Sequence, residues 1–236
     1  MISTRIALFG AAAGKFALGK WRAEAIQMKH VILLGDSVFD NAAYVARGPD
    51  VRQQLADILP PGFRATLLAR DGAVISGVIQ QLKQLPMGAT HLAISAGGND
   101  ALQAAGVLED RAISVADALK KLSFVCDGFA TAYGSLLDAV AQRNLPTAVC
   151  TIYQPRFPDV ERRRTAAAAL TLFNDLITFQ AFSRRIALID LRIICSQDQD
   201  FANPIEPSTR GGLKISNAIR AFAIGEPPFA SVFARI

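Results

Sequence analysis

The sequence predicts an α/β fold, with a mainly parallel five-stranded sheet covered by helices on both faces. Three observations carry this. Short apolar runs that end at glycine or polar residues alternate with longer segments of helical period. The 236 residues are 51% apolar and 19% charged, enough to bury a sizeable core and far from the composition of a disordered chain. No Gly/Ser linker, repeat or low-complexity block divides the chain, so a single domain is expected.

The elements follow in order. His30–Gly35 (HVILLG) is a continuous apolar run, as in a strand buried on both faces. Residues 51–59 read as a helix stopped by Pro60-Pro61-Gly62. Residues 64–69 form a second strand, and 74–85 a helix closed by Pro86. His91–Ala96 (HLAIS followed by Ala96) is the third strand, ending in Gly97-Gly98. Residues 115–143 fit a long helix, with a bend expected near Gly128 or Gly134. Residues 147–153 follow Pro146 as a fourth strand. Residues 161–184 carry Ala166, Leu170, Phe173 and Ile177 on one helical face. Residues 186–190 are a fifth strand and 212–222 a closing helix. Strands joined through helices imply right-handed crossovers and a parallel sheet, in which ligands bind beyond the C-terminal ends of the strands.

Residues 1–27 stand apart. They hold Arg5, Lys15, Lys20 and Arg22 against Glu24 alone, with a short apolar run from Ile6 to Gly14. The run is too short to span a membrane, and Lys15 and Lys20 interrupt it before any A-x-A cleavage site. The segment is read as an N-terminal extension without order of its own, or as lying upstream of a start at Met28, with residues 28–236 as the single domain. A cytoplasmic location is expected, with export or organelle targeting the alternative if 1–27 is a cleaved presequence. The net charge of +5 comes mostly from this segment. A pI of about 9.4 therefore says little about the folded part. The one dense basic run, Arg162-Arg163-Arg164, fits a solvated helix face, so no nucleic-acid partner is expected. Three cysteines without a CxxC pair argue against a disulfide framework or a zinc site.

Three strand ends carry residues suited to acyl chemistry. After the first strand, Gly35-Asp36-Ser37 places a serine hydroxyl at the rim as a candidate nucleophile, although Ser37 as a helix cap is the commoner use of such a residue. After the second, Arg70-Asp71-Gly72 offers an unobstructed backbone N–H, or an ordinary loop glycine. After the third, Gly97-Gly98-Asn99-Asp100 offers a side-chain amide, or simply a turn.

These blocks resemble those of the SGNH/GDSL hydrolases in order and spacing, over Met28 to about residue 222. The resemblance implies a flavodoxin-like three-layer α/β/α sandwich and an esterase or lipase acting on a small-molecule ester. It also implies Ser37 as nucleophile, an oxyanion hole from the N–H groups of Ser37 and Gly72 with the Asn99 amide, and no cofactor or metal. The last block departs from the family. Asn203-Pro204-Ile205-Glu206-Pro207-Ser208 stands where Asp-x-x-His-Pro is expected, so Asp is replaced by Asn203 and the catalytic His by Glu206.

Neither histidine can substitute. His30 and His91 begin their strands, roughly 16 and 20 Å from the working ends at about 3.3 Å per residue, and are expected to be surface or strand-edge residues. Glu206 is then the candidate base, with Asp198 and Asp200 as alternatives. An ordinary Glu is about two pK units weaker than His in that role. The competing expectation is an impaired relative that keeps the pocket to bind an acyl or carbohydrate ligand. Asp36 and Asp100 are expected to brace the rim loops, and Tyr153-Gln154-Pro155-Arg156 to face the pocket, with Arg156 exposed.

Overall fold

The computed structural model describes residues 28–227; the expected N-terminal extension lies outside them. The strands are β1 (Lys29–Gly35), β2 (Phe63–Leu67), β3 (His91–Ser95), β4 (Thr147–Cys150) and β5 (Ala187–Ile189). All pair in parallel in the order β2-β1-β3-β4-β5, the flavodoxin-like arrangement. The helices are α1 (Val51–Ile58), α2 (Ile75–Gln81), α3 (Gly98–Ala104), α4 (Val115–Ala141), α5 (Val160–Ser183), α6 (Leu191–Ile194) and α7 (Thr209–Ile224).

Alternation along β1 builds both halves of the core. Val31 and Leu33 face a cluster with Val51, Leu55, Ile215 and Ile219 from α1 and α7. Ile32 and Leu34 face the opposite cluster, with Val78, Leu136, Leu137 and Ile177 from α2, α4 and α5. All four β1 residues are fully buried, as a strand covered on both faces requires. Asp50, Ser114, Asp159 and Ser208 cap α1, α4, α5 and α7, each accepting a first-turn N–H.

The structure departs from the sequence reading in three places. Gly98–Ala104 is helical, because Gly97 at φ 107° turns the chain straight from β3 into α3 and accepts the N–H of Ala101. The α2 helix passes into a 3-10 turn, Leu82–Gln84, before Pro86. Strand β4 stops at Cys150; the Thr151 N–H still donates to the Ile189 carbonyl, while its hydroxyl donates to Asp190 and accepts the Leu191 N–H. Helix α4 is the single long helix expected, continuous through Gly128 and Gly134. At Gly134 the missing side chain admits Gln180 of α5, whose Oε1 would lie 3.1 Å from a Cβ.

Candidate active site

The reversal of strand order between β1 and β3 opens a crevice at their C-terminal ends, and the three rim blocks meet there. Gly35 ends β1 at φ 134° with its chain pressed on β3, where a Cβ would overlap the Ser95 carbonyl. In the turn that follows, Ser37 is largely buried, 7% exposed, and caps no helix; the first helix begins only at Val51 and is capped by Asp50. Asp36 lies beneath, 3% exposed, accepting the Val38 N–H (3.2 Å) and the Ser95 hydroxyl (2.9 Å). Burial pushes its carboxyl up to about 6, against the pull of those two donors.

The second and third blocks are tied to each other. Asp71 donates its N–H to Asp40 Oδ2 (2.9 Å) and accepts from the Tyr44 hydroxyl (2.6 Å). Asn99 Nδ2 donates to the Ala73 carbonyl (3.0 Å), and Asp100 accepts the Ile75 N–H, capping α2, which has no side-chain cap of its own. Asp36 and Asp100 therefore brace the rim as the sequence suggested. One of the two Asn99 N–H groups is committed to the loop, leaving the other free of it. Among the described residues the N–H groups of Ser37 and Gly72 have no acceptor, so both remain available to a ligand oxygen.

The last block supplies Glu206, 6% exposed. Its carboxyl is pushed up to about 7, chiefly by burial and further by the charges of Asp71 and Asp36, while the Ser37 hydroxyl opposes the rise. Its Oε2 is buried without a hydrogen-bond partner. Asn203 does not touch that carboxylate; its Oδ1 accepts the N–H groups of Ile205 and Glu206 (3.0 and 2.9 Å), an Asx turn that sets the backbone.

Three further residues hold this loop and were not read as doing so from sequence. Buried Asn41 donates to the Pro207 carbonyl and accepts the Val51 N–H. The Tyr153 hydroxyl donates to the Ile205 carbonyl at 2.6 Å. Arg156 is half-buried, unlike the exposed arginine expected: its N–H bonds the Pro204 carbonyl and its guanidinium the Ser196 carbonyl and Asp198. Only the position of Tyr153 and Arg156 just beyond a strand end hinted at this.

The two alternative bases are excluded by placement. Asp200 is fully buried on the far side of the loop, paired with Lys214 at 2.7 Å and Arg210 at 3.4 Å. Asp198 is a solvent-exposed partner of Arg156. The histidines lie at the other end of the strands. His30, of the two places expected for it, is at the strand edge and not at the surface: it is buried at the start of β1, with Nε2 2.7 Å from the Thr66 hydroxyl. His91 is partly covered between Phe63 and Phe222, its Nδ1 2.9 Å from the Thr90 hydroxyl.

A cavity of about 530 Å³ opens at this site, lined by Ser37, Asn99 and Glu206 among others; Gly72 lies in the adjoining rim loop. Arg162 lines it too, stacked over Phe157 at 4.3 Å, while Arg164 pairs with Glu161, so the basic run is engaged locally. Among the described residues no group of His, Cys, Asp and Glu could hold a metal ion, and no helix is long and apolar enough to cross a membrane.

Among solved structures, an extracellular lipase from Streptomyces rimosus superimposes with a TM-score of 0.60 at 17% identity, over 82% of this chain and 99% of that one. A GDSL-like lipase from Bacteroides thetaiotaomicron does so with 0.57 at 12% identity, over 84% and 89%. An acetyl xylan esterase gives 0.60 at 15% identity, over 80% and 97%. No family model and no curated protein matches the sequence. At these identities the likeness is one of fold: the chain has the α/β fold of GDSL-type lipases, esterases and acylhydrolases, as the sequence blocks led one to expect.

Proposed function

We propose that this chain, built on the fold of those lipases and esterases, is an SGNH/GDSL-type serine ester hydrolase in which Glu206 takes the place of histidine. One observation carries the reading: a buried carboxyl with a spare oxygen lines the same cavity as a rim serine that caps no helix, and burial pushes that carboxyl up to about 7. Burial removes the two-unit handicap that an ordinary Glu would bring as a base near neutrality.

In the mechanism, the Glu206 carboxylate accepts the Ser37 hydroxyl proton as Oγ attacks the ester carbonyl carbon. The N–H groups of Ser37 and Gly72, and the free N–H of the Asn99 amide, stabilise the oxyanion. Collapse expels the alcohol, which takes the proton from Glu206 and leaves an acyl–Ser37 ester. Water then attacks that ester, giving its proton to Glu206, and Ser37 recovers a proton as the carboxylic acid departs. Asn203 contributes placement only, since a neutral amide cannot stabilise a protonated partner by charge.

A fluorophosphonate probe is expected to label the wild-type chain at Ser37 and not Ser37→Ala, with esterase kcat/KM falling by about 10³-fold or more in that variant. Unchanged turnover in Ser37→Ala overturns the reading. The competing reading, a pocket that binds without turnover, draws support from the Asn99–Ala73 bond, which commits half of one oxyanion donor. A Glu206→His variant that gains activity from a silent parent would favour it.

A further inference from the structure

The cavity that begins at Ser37 changes character along its length. Near Ser37 its wall is polar, with Asp36, Ser95, Asn99 and Glu206. Beyond that, α3, the 3-10 turn Ala105–Glu109, α4 and α5 line it with carbon, including Leu102, Leu108, Val125, Leu170 and Phe173. Apart from Asp36 and Glu206, the charged groups in the lining, Glu109, Asp159, Glu161 and Arg162, are all exposed and so belong to the mouth. Phe173 closes the inner end against Phe129, their rings edge-on at 4.8 Å between centroids.

The apolar stripe of α5 explains why space remains. Ile177, one turn further on, is fully buried in the core, and Phe173 is 6% exposed. Towards the N-terminus of the same helix, Ala166 and Ala169 present only methyl groups to the cavity. A stripe that would otherwise pack against α3 thus leaves an apolar hollow next to the candidate nucleophile. The volume of about 530 Å³ holds on the order of fifteen water-sized groups at ~30 Å³ each. That is an ester group with an apolar chain of about six to ten carbons. Along the carbon-lined stretch a polyhydroxylated group would find few partners for its hydroxyls, the exposed Glu109, Asp159, Glu161, Arg162 and Thr165 aside, a cost that an alkyl chain avoids.

We infer that this hollow seats an unbranched apolar chain on one side of the scissile ester, and that Ala166 and Ala169 set its permitted length; the inference rests on Ser37 being the nucleophile only for which bond is cleaved. The test uses the full chain with two substrate series, p-nitrophenyl esters from acetyl to dodecanoyl, and acetate esters of 1-butanol to 1-decanol. In one series kcat/KM is expected to rise about threefold per methylene, to a maximum at about six to ten carbons. The series that climbs identifies the acyl or the alcohol side as the occupant. In Ala169→Trp, and independently in Val125→Trp, the octanoyl-to-acetyl (or octyl-to-butyl) ratio is expected to fall at least about thirtyfold. Ser37-dependent turnover that is flat with chain length in both series overturns this inference and leaves the hydrolase reading standing. If no ester is turned over, calorimetric titration with 1-hexanol, 1-octanol and 1-decanol decides. Affinity that climbs with length and collapses in Ala169→Trp supports the chain seat without the hydrolase; affinity that does not climb overturns it.

Discussion

The two ends of the same five strands hold buried ionisable groups of opposite sign, and burial drives both towards neutrality. At the N-terminal edge, desolvation and the neighbouring Arg64 hold His30 below the usual imidazole range, and desolvation with Lys29 does the same for His91. Each ring bonds one threonine hydroxyl, and Nδ1 of His30 is buried without a partner. At the C-terminal edge, burial raises Asp36 to about 6 and Glu206 to about 7. The difference lies in what adjoins them. The imidazoles meet packed strand ends, whereas Glu206 lines an open cavity together with Ser37. Under the proposed function, the proton acceptor is a desolvated acid, while the residues ordinarily suited to the task lie at the other end of the strands.

The variant that would break this comparison most completely is Glu206→Gln. It is expected to cut kcat/KM by about 10²–10⁴-fold, the usual worth of a positioned general base. In the wild type the base works only when deprotonated, so kcat/KM should fall about tenfold per pH unit below about pH 7 and level off above it. A profile that continues down to an inflection near pH 4.5 would show that Glu206 is not desolvated in solution.

Next in size is Lys214→Met, which strips the close partner from the fully buried Asp200. A loss of about 3 kcal/mol or more in unfolding free energy is expected, together with lower activity, because the Ser208 N–H bonds the Asp200 carbonyl and this loop carries Glu206. Normal denaturant midpoints would remove Asp200 as the anchor of the last block.

A smaller effect has the opposite sign. Because the folded pKa of Glu206 lies above its ordinary value of 4.5, the folded state binds the proton more tightly, and stability declines as pH rises from about 4.5 to 7. Glu206→Gln should accordingly be more stable than wild type by about 2 kcal/mol at pH 8, with the gain vanishing by about pH 4. Thermal unfolding at both pH values checks this.

The smallest effect belongs to the other edge. His30, held neutral when folded, takes up a proton on unfolding below about pH 6.5, so stability is lost as pH falls through that range. His30→Gln should flatten that slope. An unchanged slope would relocate the acid sensitivity elsewhere.

Much of this was legible in the residues. The strand HVILLG announced its burial on both faces, and the glycine-ended runs placed Ser37, Gly72 and Asn99 at one rim. Asn203 and Glu206 stand out in the sequence for the same reason, since the flanking Pro207-Ser208 keeps the register on which the resemblance rests. Other features were not legible. Gly97-Gly98-Asn99-Asp100 carries turn chemistry, and only the backbone conformation at Gly97 makes it the start of α3. Asp198, Asp200 and Glu206 are three nearby carboxylates that look alike in sequence; one ends in solvent, one in an ion pair and one beside Ser37.

By itself, then, the sequence determined the layer order of the fold and which residue types stand at each strand end, because strand burial and turn chemistry are local and periodic properties. Only the tertiary structure decided which carboxylate serves as a candidate base, and that the stripe on α5 opens into a hollow at Ala166 and Ala169. Desolvation and empty space are properties of what packs around a residue, and those neighbours come from segments far away in the chain.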